Sequence, residues 1–326
     1  MNTFTIQANN ANQRLDKFLL KYFNKATRGL IYKLLRNKRI KLNGARAAGS
    51  EILRAGDELM FYIAPETMAG LMEARAIRED CAALSVLYED AHVLMADKPG
   101  GLLTQPDAPN ADCVSERLLA YLARSGAYTA EAGAAFTPAP VNRLDRNTSG
   151  IVLCAKTLAA AQVLSAALRE RAGGLEKYYL AVAVGRVREA MVLSGVHQKD
   201  EKTNQATIRN ADITNVLGED GKDAVTEITP LSHGDGFTVL RVKLLTGRTH
   251  QIRAHLQSIG HPIVGDPKYG DAAANRAFGV KGQLLCAYEL RMGELDEPLA
   301  YLNGKVFCAP LPAGFRRFAG DGKRDV

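Results

Sequence analysis

Residues 140–157, PVNRLDRNTSGIVLCAKT, place one carboxylate between two arginines at the entrance to an apolar run. Asp145 lies between Arg143 and Arg146, and a turn of small residues separates it from the apolar stretch 151–155. A surface salt bridge contributes only about 0–1 kcal/mol, so stability alone is a weak reason for this arrangement. A carboxylate beside arginine stays ionised and can act as a nucleophile or an electrostatic stabiliser. The structural alternative is that Asp145 only caps the turn that follows it.

Other stretches carry side chains that could join this aspartate. Arg248 lies at the entrance to a predicted helix, directly after a Thr-Gly pair. Lys98 precedes Pro99 and two glycines, so it either faces a phosphate or belongs to a plain loop. His250 and His255 are five residues apart on the predicted helix, about 140° out of alignment, and they form a poor metal-binding pair. We therefore expect no metal site.

The positive charge of the chain is concentrated near its N-terminus. The net charge of the 326 residues is +7, whereas residues 13–62, with twelve Lys and Arg against four Asp and Glu, carry +8. Such asymmetry is the electrostatic footprint of a module that binds a polyanion. The alternative is the solvated face of a small helical domain.

The same segment has a clear order of predicted elements. Apolar residues at helical spacing predict a helix over 14–23, and Thr27 is a candidate N-cap for a second helix. Asn43-Gly44 predicts a tight hairpin, because both turn positions tolerate a positive φ. A further strand is predicted near 57–63. Two short helices on a small β-hairpin can track a phosphate backbone.

Residues 13–62 resemble the alpha-L, or S-four-like, RNA-binding motif. The resemblance is carried by RLDKFLLKY, TRGLIYKLLRNKRIKLNG and LRAGDEL. Arg39 is assigned to the position where this family commonly has a glycine before Ile40. The predicted RNA-binding residues lie along the second helix and its exit: Lys33, Arg36, Lys38, Arg39 and Lys41.

The remainder of the chain predicts a strand-rich domain over 83–326. Because strands are many, helices few and βαβ alternation weak, we expect an α+β fold built on a mostly antiparallel sheet. Residues 64–82 have no strand or hairpin signal, and we interpret them as a linker after a module at 1–63. The predicted strands are 84–88, 92–96, 177–185 and 238–244, and the predicted helices are 114–124, 158–171 and one that begins near Thr249.

Five ordered stretches of this domain are similar to motifs of the RluA-type pseudouridine synthases, which isomerise uridine within RNA. They are VLYEDAHVLMADKPGGLL, VNRLDRNTSGIVLCAKT, KYYLAVAVG, LLTGRTHQIRAHL and GHPIVGDPKYG, and the similarity runs from about residue 84 to 270. Asn142 stands where the family often has a histidine. Together the ordered motifs are far more specific than any one of them.

The resemblance implies a role for each matching residue. Asp145 attacks the uridine, Tyr179 stacks on the target uracil and has been considered as a base, and Arg248 forms an ion pair with the aspartate. The implied substrate-binding residues are Arg143, which can occupy the gap left by a flipped nucleotide, Leu144, and Ile252, an apolar wall of the uracil pocket.

We therefore expect a cytoplasmic, monomeric RNA pseudouridine synthase. No cofactor is expected, because the reaction involves neither redox change nor net hydrolysis. No apolar run reaches the roughly 20 residues that a membrane span requires, and five scattered cysteines indicate reduced thiols. The expected substrate is large-subunit ribosomal RNA, with transfer RNA as an alternative. Two other functions stay open: a non-catalytic RNA-binding or assembly factor on the same fold, and a hydrolase that releases uracil.

Overall fold

The computed structural model describes residues 2–74, 76–78, 80–129, 136–170, 174–200, 205–210, 222–280 and 282–318. It contains a four-stranded sheet near the N-terminus and an eleven-stranded sheet in the rest of the chain. Each sheet packs against its own hydrophobic core. The predicted α+β class is confirmed, since pairing between strands of the described part is antiparallel except between β8 and β14.

The small module packs two helices on the four-stranded sheet, whose strand order is β1-β4-β2-β3. The predicted helix cap at Thr27 is confirmed, because its hydroxyl accepts a hydrogen bond of 3.3 Å from the Leu30 amide. The elements of the module are β1 (Asn2–Thr5), α1 (Leu15–Tyr22), α2 (Arg28–Arg36), β2 (Ile40–Leu42), β3 (Ala45–Arg46) and β4 (Glu58–Phe61).

Two turns of the module contain left-handed residues. Asn43 and Gly44 have φ values of +50° and +76° between paired Leu42 and Ala45, which confirms the predicted two-residue hairpin. The left-handed residue before β2 is Lys38, with φ +60°. Lys38 thus adopts the conformation that glycine favours, whereas Arg39, the residue assigned to the family glycine, does not have a positive φ.

A short helix extends the core of the module. The stacked rings of Tyr22 and Phe61, with centroids 5.4 Å apart, lie in this core. Helix α3 (Pro65–Leu71) contributes Met68, which is buried in the same cluster. The segment predicted as a linker, 64–82, thus begins with a helix packed on the small module. That this segment connects two domains is a proposal.

The large sheet has the strand order β11-β10-β12-β13-β9-β14-β8-β6-β5, with β15 paired to β14 and β7 to β8. Its strands are β5 (Val86–Glu89), β6 (Val93–Lys98), β7 (Ala139–Pro140), β8 (Ser149–Ala155), β9 (Glu176–Val184), β10 (Met191–Asp200), β11 (Gln205–Asn210), β12 (Lys222–Gly234), β13 (Phe237–Leu244), β14 (Leu285–Arg291) and β15 (Val306–Cys308).

Four helices accompany the large sheet: α4 (Val114–Arg124), α5 (Leu158–Ala167), α6 (Gln251–Ser258) and α7 (Ala272–Phe278). Strand β9 divides its side chains between two cores, as the two-residue period of a strand requires. Tyr179 packs in one core with Ile252 and Leu256 of α6, whereas Tyr178 packs in another on the opposite face. Tyr179 and α6 therefore share one face of the sheet.

The predicted elements agree closely with the observed ones. The helix predicted over 114–124 has these bounds, and the one predicted over 158–171 ends at Ala167, with residue 171 outside the described part. All five cysteines are free, as expected. The small module is hydrogen-bonded to α5, since the Leu158 amide donates to Asn9 Oδ1 at 2.7 Å and Gln162 Nε2 donates to the Asn12 carbonyl at 2.8 Å.

Candidate active site

Asp145 lies in the loop 141–148, which joins β7 to β8 and is held along its length by hydrogen bonds. Thr104 Oγ1 both donates to the Leu144 carbonyl at 2.9 Å and accepts from the Leu144 amide at 3.1 Å. Asn142 Oδ1 accepts from the Leu153 amide at 2.8 Å, so the residue that replaces the family histidine ties the loop to β8. The loop is thus fixed before any substrate binds.

Gly150, in β8 directly after the loop 141–148, allows β8 to approach β14 closely. Its φ is +105°, and a Cβ placed there would lie 2.1 Å from the Ala287 carbonyl oxygen of β14. A side chain cannot fit at that distance, so glycine is required for β8 and β14 to pair here. The Thr-Ser-Gly part of the motif is therefore a structural support for Asp145.

Lys98 also holds the loop 141–148 in place. It is fully buried, and its Nζ donates to the carbonyl oxygens of Pro99 (3.0 Å), Leu102 (2.6 Å) and Arg146 (2.8 Å). Burial lowers the pKa of Lys98 to about 8, although the charge of Asp145 opposes this shift. The interpretation of Lys98 as a phosphate ligand was wrong, because its ammonium group points inward and holds two loops together.

Asp145 forms its ion pair with Arg253. Arg253 Nη1 lies 2.9 Å from Asp145 Oδ2, and the aspartate side chain keeps 28% of its surface exposed. The other side of the guanidinium binds Asp266 through two hydrogen bonds, of 2.7 and 2.9 Å. Burial alone would raise the pKa of Asp266, but the hydrogen bonds and charge of Arg253 outweigh it and hold that pKa below its usual range. One buried arginine thus bridges an exposed carboxylate and a fully buried one.

His250 is a further neighbour of Asp145 that the sequence reasoning did not assign to the site. Its Nε2 lies 3.8 Å from Asp145 Oδ2, and its Nδ1 lies 3.0 Å from the Tyr269 hydroxyl oxygen. Burial lowers the pKa of His250, with the charge of Asp145 acting in the opposite direction. His250 also has φ +55°, a conformation that costs energy for a residue with a side chain.

The apolar wall predicted around the aspartate is present. Leu144, Tyr179 and Ile252 are all buried in one hydrophobic cluster. Burial strongly raises the pKa of Tyr179, and the negative charge of Asp145 adds to this effect. The structure therefore brings together four of the predicted site residues: Asp145, Leu144, Tyr179 and Ile252.

The predicted ion pair between Arg248 and Asp145 is wrong. Arg248 Nε donates to the Asp223 carbonyl at 3.1 Å, and the ion pairs of Asp145 within the described residues involve Arg253 and His250. The reason is where each arginine lies relative to the first residue of α6. Arg248 precedes α6, whereas Arg253 lies on α6 beside Ile252, which is buried in the same hydrophobic cluster as Leu144 and Tyr179. That neighbour was the signal that could have identified Arg253.

The arginines beside Asp145 face outward. Arg143 is exposed. Arg146 forms a surface ion pair of 2.8 Å with Asp107.

The predicted RNA-binding residues of the small module, here called the module cations, are Lys33, Arg36, Lys38, Arg39 and Lys41. The first four are exposed, and Lys41 lies half-buried with its Nζ 5.1 Å from the centre of the Tyr62 ring. Within the described part of the chain, none of the five forms an ion pair with a carboxylate. Their charges are therefore available to an external anion.

The described residues offer neither a cluster of metal ligands nor a membrane-spanning helix. Among them, no cluster of three or more His, Cys, Asp and Glu side chains could hold a metal ion. No helix in that part of the chain is long and apolar enough to span a membrane.

Comparisons with known proteins identify the class. Residues 92–258 match the RNA pseudouridylate synthase family, and residues 13–59 match the S4 domain. The chain therefore belongs to the RNA pseudouridylate synthase family, which makes it an isomerase and confirms both resemblances seen in the sequence.

The similar curated proteins carry more specific names. The chain is 34% identical over 269 residues to ribosomal large subunit pseudouridine synthase D of Xanthomonas campestris pv. campestris, covering 80% of this chain and 72% of the relative. It is 32% identical over 288 residues to ribosomal large subunit pseudouridine synthase C of Escherichia coli K12, covering 85% and 82%.

A solved structure supports the fold. Human RNA pseudouridylate synthase domain containing 4 aligns with a TM-score of 0.56 at 21% identity, over 71% of this chain and 90% of that one.

Proposed function

We propose that this protein converts specific uridines of large-subunit ribosomal RNA into pseudouridine, with Asp145 as the nucleophile and without a cofactor. The substrate class is supported by the names of its relatives, synthases C and D of the ribosomal large subunit. A cytoplasmic location is part of this proposal because of that substrate. The observation that carries the catalytic assignment is the carboxylate of Asp145, held by Arg253 at 2.9 Å yet still 28% exposed.

The chemistry asks for little more than an ionised carboxylate. Uridine and pseudouridine are isomers: the bond from the ribose to the ring nitrogen breaks, the uracil rotates, and a new bond forms to carbon 5. Carbon 5 loses its proton, and the freed ring nitrogen gains one. The carboxylate attacks either the anomeric carbon or the uracil ring, and both routes return it unchanged. No electrons enter or leave, so the reaction itself calls for no redox partner. The guanidinium of Arg253 keeps the carboxylate of Asp145 ionised and holds it in a fixed orientation.

The residues around Asp145 can bind a uracil base that has been extruded from the stacked RNA. Extrusion of a nucleotide costs a few kcal/mol, and stacking on an aromatic ring returns about 1–3 kcal/mol. Tyr179 supplies that ring, and Leu144 and Ile252 supply the apolar walls that keep water from the detached base. Arg143 is exposed beside Asp145, which supports the proposal that it enters the gap left by the extruded nucleotide.

The test is the substitution Asp145→Asn, which keeps the shape of the side chain but removes its charge and its nucleophilicity. We expect it to abolish tritium release from RNA labelled at carbon 5 of uridine, while the protein stays folded and binds RNA at least as tightly as wild type.

A matched control is Asp107→Asn, which removes a nearby aspartate that is also paired with an arginine but lies at the surface. Because such pairs contribute only about 0–1 kcal/mol, this variant should stay active. A folded Asp145→Asn protein with near wild-type turnover would end the proposal. Release of free uracil by the wild type would instead identify a hydrolase.

A further inference from the structure

A polar pocket of about 400 Å³ lies beside the uracil site, between the end of α5, the start of β9 and the loop after β13. Four cations line it: Arg169, Lys177, Lys243 and Arg248. The carboxylates that line it are Glu170 and Glu176. The pocket therefore has two more positive charges than negative ones, next to a site proposed to bind RNA.

The carboxylate of Glu176 already accepts hydrogen bonds from two side chains. It accepts a hydrogen bond of 2.6 Å from Lys243 and one of 3.0 Å from the Tyr178 hydroxyl. Glu170 is exposed at the rim. Arg248 Nε donates to the Asp223 carbonyl, and its two terminal nitrogens form no hydrogen bond to other described residues. The pocket thus contains cations that have capacity left for a ligand.

Of the four cations, Lys177 gives the strongest indication of an anion-binding site. It is half-buried, burial lowers its pKa, and no carboxylate of the described residues pairs with it. A Cβ built on Gly247 would lie 3.9 Å from Lys177 Nζ, so the ammonium group faces bare backbone directly before Arg248. Burial of a charge without a partner is costly. An anionic ligand that completes this site would remove that cost.

The location of Lys177 connects the polar pocket to the uracil site. It precedes Tyr179 by two residues, so the two side chains leave β9 on the same face. Lys177 also lines the small cavity that Tyr179, Asn142 and Ile151 enclose. A group bound by Lys177 would therefore lie beside the base stacked on Tyr179.

We propose that Lys177 and Arg248 bind a phosphate of the RNA backbone next to the target uridine. This inference rests on the proposed function, because the ligand belongs to the RNA that carries the uridine. A phosphate fits both partners, since an ammonium group and the free nitrogens of a guanidinium donate charge-assisted hydrogen bonds to its oxygens. It also gives a role to Arg248, which does not pair with the catalytic aspartate.

The experiment combines protein variants with a chemically neutral linkage. The probe is a short synthetic RNA that spans a large-subunit ribosomal uridine modified by the wild-type protein. One methylphosphonate replaces a single phosphate at each position around that uridine in turn. Single-turnover rates at subsaturating protein are then measured for wild type, Lys177→Met and Arg248→Gln, and the folding of each protein is checked by thermal melting.

We expect the losses of single-turnover rate caused by the methylphosphonate and by the protein variants not to be additive. With wild type, one methylphosphonate should slow the reaction by roughly 10–100-fold, the range of a hydrogen bond to a charged group. Lys177→Met and Arg248→Gln should each slow the reaction of unmodified RNA, and that methylphosphonate should then cause little further loss in either variant. Two partners that interact are recognised by this lack of additivity.

Lys243→Met is the matched control, because it removes a lysine of the same pocket that is already paired with Glu176. In this variant the methylphosphonate loss should persist in full. Losses that add fully in Lys177→Met and Arg248→Gln, or no sensitive linkage around the uridine, would overturn the phosphate site while leaving the proposed function intact. Failure of the wild type to form pseudouridine in any ribosomal fragment would overturn both.

Discussion

The small module and the catalytic centre use their cations in opposite ways. The module cations lie at the surface, and none of them pairs with a carboxylate in the described part of the chain. Arg253 is only 7% exposed and is bound to Asp145 and Asp266. Exposed charges attract a polyanion over a distance of about 8–10 Å and are screened by salt, whereas buried pairs are screened much less. The first arrangement suits RNA affinity, and the second fixes the position of Asp145, the proposed nucleophile.

This contrast predicts that the largest effect comes from the buried arginine. Arg253→Gln should reduce turnover at saturating RNA by about 10²–10³-fold, the range seen when a group that stabilises charge in an active site is removed. It should also lower the free energy of unfolding by about 3–5 kcal/mol, since it leaves Asp266 buried without its cation. Single-turnover rates and chemical denaturation measure the two effects.

Arg253→Lys separates charge from geometry in the same experiment. Lysine keeps the positive charge but cannot form the forked contact with Asp266. It should therefore recover part of the lost stability and a smaller part of the turnover. Folded Arg253→Gln protein with wild-type turnover at saturating RNA would show that the ion pair has no catalytic role.

The module cations should affect affinity and not the chemical step. Replacement of all five by alanine should flatten the slope of log K against log salt concentration by up to about 4.5, since each neutralised phosphate contributes roughly 0.7–0.9. Turnover at saturating RNA should stay unchanged, because the active site is untouched. Binding titrations at several salt concentrations measure the slope.

Lys305→Ala is a useful control for this prediction. It removes one cation of the catalytic domain, which lies over the Tyr301 ring, and the slope should change by one phosphate at most. An unchanged slope in the five-fold variant would mean that the catalytic domain makes the phosphate contacts.

The same two regions also differ in how far the sequence could predict them. In the module, helix caps, the Asn43-Gly44 turn and the charge pattern are local signals, and the structure confirms each element. In the large sheet, four of the eleven strands, β5, β6, β9 and β13, were predicted, but the ion-pair partner of Asp145 was not. Arg248 and Arg253 are both near the start of α6 in sequence. Only the helix start at Gln251 decides which of them turns toward the loop 141–148.

Lys98 and His250 show a second limit of sequence reasoning. A lysine before glycines is usually read as a surface or phosphate-binding residue, yet Lys98 points into the protein because three carbonyl oxygens need a donor there. His250 reaches Asp145 from a left-handed backbone conformation. Sequence periodicity does not encode such a conformation, which depends on long-range contacts.

A smaller effect is expected from the hydroxyl of Tyr179. Burial and the charge of Asp145 raise its pKa, so the phenol stays protonated at neutral pH and the ring is its useful part. Tyr179→Phe should then keep turnover within several-fold of wild type. Tyr179→Leu should lose about 10–100-fold, because stacking is worth about 1–3 kcal/mol per base.

The comparison of these two variants decides the role of the hydroxyl. Proton transfer by a side chain typically contributes 10²–10⁴-fold, so a hydroxyl with that function would make Phe as slow as Leu. Single-turnover rates on the same RNA distinguish the two cases. Near-normal rates in both variants would remove Tyr179 from the active site.

The smallest effect concerns Lys38, which is both a module cation and a residue in a strained turn. Its φ of +60° costs a residue with a side chain about 1–2 kcal/mol, while glycine accepts this conformation at the expense of more entropy lost on folding. Lys38→Gly should therefore be more stable than Lys38→Ala by about 1 kcal/mol, the balance of these two effects. The two variants lose the same charge, so their RNA affinities should agree.

Amide hydrogen exchange in β2 and β3 measures this difference locally, where a whole-chain melting curve would mix two domains. The amides of the hairpin should exchange about five-fold more slowly in Lys38→Gly than in Lys38→Ala, which is the ratio that about 1 kcal/mol produces. Equal exchange would mean that the turn imposes no strain on Lys38. Equal exchange together with unequal RNA affinity would mean that the shape of this turn, as well as its charge, contributes to RNA binding.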